Sequence, residues 1–213
     1  MEGMAGAGEM PAWLAALGIE PGDVDRIVQT HLHSDHCGWL IKDDEGGLTF
    51  PNATVHVNER EVAYWSGDEV DAIAFNRGTT APVRARLRAV ADAGRLHTFD
   101  GELELSEEIT VLPTPGHTPG HVSVVVASGG ETAILAGDLL HHPVHVEHPH
   151  WLPSVDHDPA ESVRSRERIA ALAADRKAVI LAPHFPIPTV VGVDRGPGGQ
   201  VRTVVGHDTE DAT

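Results

Sequence analysis

Residues 30–39 read THLHSDHCGW, which places His31, His33, Asp35 and His36 within one short run. Imidazole nitrogens and carboxylate oxygens are the donors that borderline divalent cations prefer. Each neutral imidazole also brings one hydrogen-bond donor and one acceptor that a folded chain must satisfy. Burying so many polar groups costs free energy unless each is paired, and metal binding is the obvious compensation. His31 and His33 sit two apart, so in extended chain they point the same way and can share one ion. Asp35 and His36 follow on the turn, on a different heading, where they can serve a second.

The remaining donors come from distant segments. His117 stands in TPGHTPGH (114–121), between two Pro-Gly steps that force a tight loop and hold the ring rigidly. Asp138 closes TAILAGD (132–138), where Gly137 allows close backbone approach. His184 follows AVILAP (178–183). Together His31, His33, Asp35, His36, His117, Asp138 and His184 make a sensible complement for two divalent ions, zinc above all, with a water-derived bridge. Cys37 reads as a small buried residue beside the site, and His121 as a support for the ligands rather than one of them. His56 and His97 read as ordinary strand histidines, and His207 as solvated.

Elements able to position these groups can be read from the pattern. PAWLAAL (11–17) predicts a short helix stopped by Gly18, and DRIVQT (25–30) a strand that delivers the chain into the histidine run. ATVHV (53–57) alternates like a strand. Asn58 then caps a helix over 58–65, and residues 82–93 form another, stopped by Gly94. Strands follow at 95–99, 103–105, 108–114, 122–128 and 132–138, with Gly129-Gly130 as a hairpin turn. Asp158 and Pro159 open a long helix, 178–183 is a buried strand, and 187–193 and 200–206 are two terminal strands. The result is a mixed α/β layered domain spanning 1–213, with its His and Asp clusters at the C-terminal ends of strands. Loops at such ends can shape a pocket while the strand fixes the residue.

Composition narrows the chemistry. The 213 residues carry a formal charge of −17, which argues against nucleic acid and anionic membrane surfaces as partners. No apolar run approaches the roughly 18 residues that a membrane span needs. The N-terminal MEGMAGAGEM lacks the form of a secretory signal, so a cytoplasmic protein acting on a small molecule is expected. One cysteine rules out an internal disulfide, whereas 15 histidines, most of them grouped, are an excess that asks for a role.

The order HxHxDH, a lone His in a Pro-Gly loop, Asp after Gly and then a late His resembles the metallo-β-lactamase superfamily, over about residues 25–190. That resemblance implies an αββα sandwich with a dinuclear site at one edge of its sheets. It implies that His31, His33 and His117 hold the first metal, that Asp35, His36 and His184 hold the second, and that Asp138 bridges them. HLHSDHCG and TPGHTPGH are similar to the N-acyl homoserine lactone hydrolases of the superfamily. GDLLHH, the Asp-Pro helix and HFPIP look closer to its methyl parathion hydrolase-like branch. The lactone hydrolases carry a Tyr three residues after the bridging Asp; here that position is His141.

The implied reaction is attack of a metal-bridged hydroxide on a lactone or related ester. Phosphotriester or aryl-ester hydrolysis is the alternative, and a catalytically inactive or truncated metal-binding scaffold is the non-enzymatic one. Asp35, Asp138 and His141 would carry the chemistry, with Asp138 or His141 returning a proton to the leaving group. Trp39, Trp151 and Phe185 would form an apolar wall for the substrate. Family members carry strands and an Asp-Thr-Gly-like turn ahead of HxHxDH, and nothing in the roughly 30 residues here reads as that hairpin. The sandwich is therefore expected to lack its usual N-terminal strands, and an open sheet edge of that kind favours a homo-oligomer.

Overall fold

The computed structural model describes residues 10–42, 47–186 and 190–204. Residues 1–9, most of the stretch read for a leader, and His207 lie outside the described residues. The chain runs through α1 (Met10–Ala16), β1 (Arg26–Val28), α2 (Ser34–Cys37), β2 (Thr54–Asn58), α3 (Glu59–Ser66) and α4 (Thr80–Asp92). It continues through β3 (Leu96–Phe99), β4 (Leu103–Glu104), β5 (Ile109–Pro113), β6 (Val122–Ser128), β7 (Glu131–Leu135) and α5 (Val144–Glu147). The last elements are α6 (Pro159–Arg176), β8 (Val179–Leu181), β9 (Val190–Arg195) and β10 (Val201–Val204). Two sheets result. One is parallel, ordered β1-β2-β3; the other is mixed, ordered β10-β9-β8-β7-β6-β5-β4. Among the described residues no strand precedes β1 in the first sheet.

Strand alternation sorts the apolar side chains into layers. In β6, Val125 turns toward α6 and joins Ile134, Ile180, Val191 and Val193 against Ile169, Ala170, Ala173 and Ala174 of that helix. The small alanines let α6 lie close on the sheet. Val122 and Val124 point the other way and meet Phe99 of β3 and Val111 of β5 between the two sheets. Beyond the first sheet, Val55 and Val57 of β2 pack against Tyr64 and Trp65 of α3 and Val83, Leu87 and Val90 of α4. The order is helix, sheet, sheet, helix: an αββα sandwich.

Most helix ends follow the sequence signals. The Asn58 side chain accepts from the Arg60 N–H, and Asp158 accepts from the Glu161 N–H with Pro159 in the first turn. The stop of α6 is different: Lys177 itself takes the left-handed conformation at φ 49°, a place where glycine is usual. The Gly129-Gly130 turn closes the β6–β7 hairpin with both residues at positive φ, as a two-residue turn of this hand requires. The strand expected over 132–138 ends instead at Leu135. Gly137, at φ 55°, bends the chain into a single 3-10 turn, and Asp138 sits within it. Likewise, α4 starts at Thr80, ahead of the expected 82, and the turn holding Asp35 and His36 is a short helix.

The TPGHTPGH segment is clasped by two helices. A Cβ on Gly116 would lie 2.3 Å from the Ser162 backbone nitrogen, at the start of α6. One on Gly120 would lie 2.1 Å from the Glu61 nitrogen, at the start of α3. Those contacts require hydrogen at both positions, and they hold the loop that carries His117. The loop after Asp138 is gathered by Arg166, a fully buried residue of α6. Its Nε donates to Leu139 O at 2.7 Å, Nη1 to Pro149 O and Trp151 O at 3.2 Å, and Nη2 to Asp156 Oδ2 at 3.1 Å.

Two outcomes follow for stability. Gly120→Ala should cost roughly 3 kcal/mol or more in a denaturant titration, at or beyond the upper range for forced overpacking, because the obstacle is backbone. Gly38→Ala, at helical dihedrals with nothing within 4 Å, should be near neutral; equal losses in the two variants would contradict the clasp. Asp156→Ala leaves the Arg166 guanidinium buried without its counter-charge and should cost about 3–5 kcal/mol. A loss below about 1 kcal/mol would show that the pair organises little.

Candidate metal centre

Each predicted donor leaves a strand by a loop or turn and enters one shared region. His31 and His33 follow β1 in extended chain, and His33 is the residue before the first turn of α2. Asp35 and His36 lie on that turn. His117 comes from the clasped loop after β5, Asp138 from the 3-10 turn after β7, and His184 from the loop after β8. The ligand atoms of His31, His33, His117 and Asp138 lie within 4.8 Å of one another. Those of Asp35, His36 and His184 form a second group, and those of Asp138, His141 and His184 a third. The first group is buried, whereas the side chains of Asp35 and His184 are 28% and 40% exposed. The second group is therefore the open side of the site.

Hydrogen bonds around the first group fix where its protons sit. Asn76 spends its amide N–H groups on Tyr64 Oη and Val70 O, both at 3.1 Å, so its Oδ1 accepts from His33 Nε2–H at 3.0 Å. The Asp156 carboxylate, paired with Arg166, accepts from His117 Nδ1–H at 3.1 Å. In the neutral rings, His33 Nδ1 and His117 Nε2 are then both bare lone pairs, yet they face each other at 2.9 Å. His31 Nε2 is buried with no hydrogen-bond partner, 3.8 Å from Asp138 Oδ2. Three imidazole nitrogens and a carboxylate thus converge, and no proton lies between His33 Nδ1 and His117 Nε2. A cation would resolve that arrangement, and the nitrogen-rich donor set suits a borderline divalent ion. The residues fit a metal.

Protonation follows from burial and charge. Burial, reinforced by the neighbouring imidazoles, holds His31 well below its ordinary value, and burial brings His33 down to about 4. Both rings are neutral at neutral pH, the state a ligand needs. Asp138 lies amid imidazoles: His36 Nε2 at 3.2 Å, His184 Nε2 at 3.2 Å, His141 Nε2 at 3.4 Å and His117 Nε2 at 3.5 Å. Burial opposes its charge, but hydrogen bonds from His141, His184 and His36 outweigh that and keep its carboxyl far below the ordinary range. Desolvation also opposes the charge on His36, yet Asp138 and Asp35 push it up to about 9. His184 is raised chiefly by Asp138.

Among the groups around the donors, the sequence reading named His121 as a support and Cys37 as a buried neighbour but missed Asn76, Asp156, His145 and Glu61. Asn76 and Asp156 orient His33 and His117 as just described. His121 is fully buried; its Nε2 accepts from the Asp138 N–H at 3.2 Å while Nδ1 faces Thr114, so it supports the central carboxylate through its backbone. His145 Nδ1 accepts from the His141 N–H at 3.2 Å. Glu61, buried in α3, bonds to both ligand loops. Cys37 is buried, donates to Leu32 O, and burial pushes its thiol up to about 12.

The expected apolar wall is rearranged. Phe185 is buried in the α6 core cluster, because the chain turns it inward directly after His184. Trp151 is 59% exposed and stacks on His148 at 4.7 Å, and Trp39 is half-buried. Phe75, which the sequence did not single out, stands edge-on to His33 at 5.5 Å and is 54% exposed. A shallow depression lined by Leu135, Leu181, Ala182 and Pro183 borders His36.

Comparison with known proteins agrees with this geometry. The family model described as the metallo-beta-lactamase superfamily matches residues 3–184. The N-acyl homoserine lactonase AttM of Azorhizobium caulinodans is 31% identical over 181 residues, covering 82% of this chain and 63% of that protein. The human metallo-beta-lactamase domain-containing protein 1 is 32% identical over 175 residues, covering 81% of this chain and 52% of the human one. Among solved structures, the hydrolase AbOPH superposes with a TM-score of 0.81 at 30% identity, over 95% of this chain and 71% of that one. The dizinc quorum-quenching lactonase AidC has the same TM-score and coverage at 24% identity, a likeness of fold. The chain spans under two thirds of the length of the AttM lactonase that it matches. No helix among the described residues is long and apolar enough to cross a membrane. On the family match and the shared fold, the chain belongs to the metallo-β-lactamase superfamily.

Proposed function

We propose that the protein is a dinuclear zinc hydrolase that opens lactones or related esters. The observation that carries this reading is the convergence of ring nitrogens from His31, His33 and His117 on the Asp138 carboxylate, with Asp35, His36 and His184 forming a second, more open group. The similarity to the AttM lactonase supports a lactone as the substrate class. When bound, the ions would supply an activated water near neutral pH and polarise the scissile carbonyl. Asp138 lies between the two groups and would orient the attacking water. Breaking the ring C–O bond leaves an alkoxide that must take a proton. His141 Nε2, 3.4 Å from Asp138 Oδ2 and stacked on His184 at 5.3 Å, would take the proton that the attacking water gives up and pass it to that alkoxide oxygen. Asp35, on the open side, would help His36 and His184 hold the second ion. Phe75 beside His33 and the depression beside His36 offer apolar contact for an acyl group.

A second reading, phosphotriester or aryl-ester hydrolysis, is favoured by the exposed rings of Phe75 and Trp151, which suit an aryl substituent. We also propose self-association through the open edge of β1, since Leu135 and Val190 on the second sheet are exposed as well.

Zinc-loaded protein should turn over an acyl homoserine lactone, lose that activity on chelation and regain it with added zinc. Turnover of an aryl ester or a phosphotriester without lactone turnover would replace the first reading by the second. Inactivity of the fully loaded protein on all three would leave a metal-binding scaffold. His141→Phe should lower kcat by about 100-fold or more with metal content unchanged, the range for losing a general acid. Loss of metal in that variant would make His141 a ligand instead. Light scattering should give an oligomer, and a stable, fully loaded monomer would contradict the open-edge argument.

A further inference from the structure

The two loops that bring the inner imidazoles together are joined by a single side chain outside the site. Glu61 lies in the first turn of α3 and is fully buried. Its Oε1 accepts from the Leu32 N–H at 2.9 Å and from Trp65 Nε1–H at 2.8 Å. Its Oε2 accepts from Thr118 Oγ1–H at 2.6 Å and from the Gly120 N–H at 3.2 Å. Leu32 stands between His31 and His33, and Thr118 follows His117. One oxygen therefore holds the segment carrying two inner imidazoles, and the other holds the loop carrying the third.

We propose that Glu61 is a positioning residue that fixes the His31/His33 segment against the His117 loop and so sets the affinity of the inner metal group. Four donors match the acceptor capacity of an ionised carboxylate, so its charge is met without a counter-cation. The start of α3 adds favourable dipole contact. Glutamate in this part of a helix commonly reaches back to cap its own first turn; here both oxygens are given to other segments. Neither shorter Asp nor neutral Gln can reproduce the contact. Asp cannot reach both loops, and Gln turns an N–H₂ group toward two of the four donors. The surroundings cannot yield, since Gly120 already touches the Glu61 backbone closely enough to exclude a Cβ.

The proposal rests on the metal reading above, and its test separates the two. Zinc affinity would be measured by competition with a chromophoric chelator for the wild type, Glu61→Gln and Thr118→Val. Cobalt spectra of each protein at saturation and thermal midpoints of the metal-free forms would be recorded alongside. Glu61→Gln should bind its tighter ion about 10–100-fold more weakly, the range for removing a group that supports ligands. Its cobalt spectrum should shift as the three imidazoles lose their fixed geometry. Thr118→Val, which removes one donor, should weaken binding in the same direction by a smaller factor, and serves alone if Glu61→Gln does not fold. Lower thermal midpoints with wild-type metal affinity and spectrum would reduce Glu61 to a structural residue and overturn the proposal. A wild type that takes up no zinc or cobalt would overturn the metal reading with it.

Discussion

Two imidazole nitrogens, His33 Nδ1 and His117 Nε2, lie 2.9 Å apart with their protons committed elsewhere. Most of the molecule can be understood as what is needed to hold that contact. Left to themselves, two lone pairs would separate, and one ring flip or a loop shift would relieve them. Neither is open to them. Asn76 locks one ring from the 3-10 turn before α4, and the Asp156–Arg166 pair locks the other from α6. The supporting shell keeps the two rings facing each other, and a cation between them would take up both lone pairs. Such preorganisation is how a scaffold favours a particular ion geometry over loose chelation.

The sandwich contributes by closing loops from four strands onto one edge. Strand β1 delivers His31 and His33, β5 leads to His117, β7 to Asp138 and β8 to His184. Because the strands are held by apolar layers against α6 and between the sheets, the loops leave from fixed points and need only short turns to converge. Glycine supplies those turns where side chains would collide. Gly116 and Gly120 admit α6 and α3 against the His117 loop, and Gly137 lets the Asp138 turn approach the His121 ring, whose Nε2 would lie 2.8 Å from an added Cβ. Two buried charges that support the site each have polar partners. Arg166 meets Asp156, and Glu61 meets four donors, contacts that offset the burial opposing the charge on both residues.

The donor set was legible in the sequence because its chemistry is written in residue type and spacing. His31 and His33 share a face by period two, Asp138 and His184 follow apolar strands, and His117 sits between Pro-Gly steps. The layered fold was legible for a similar reason, since strand alternation and helix caps are local signals. What escaped detection was everything that depends on distant segments meeting. Glu61 looks like a residue of the first turn of a helix, and only the fold shows its oxygens reaching loops 29 and 57 residues away. Asn76 lies in a 3-10 turn that no periodicity announces. Asp156 is hidden among neighbouring acids and histidines. Phe185 was misjudged because adjacency to His184 says nothing about which way a loop residue points. The Asp138 strand was drawn too long because Gly137 acts as a bend, which its φ of 55° reveals and its type alone does not.

The central claim is that the converging donors hold two divalent ions. Native mass spectrometry of the protein dialysed against limiting free zinc tests it most directly. Two zinc ions per chain are expected, falling to one or none when His33 is replaced by alanine. A wild-type mass that stays at the bare chain after exposure to zinc would contradict the claim, and with it the reading of the site as a hydrolytic metal centre.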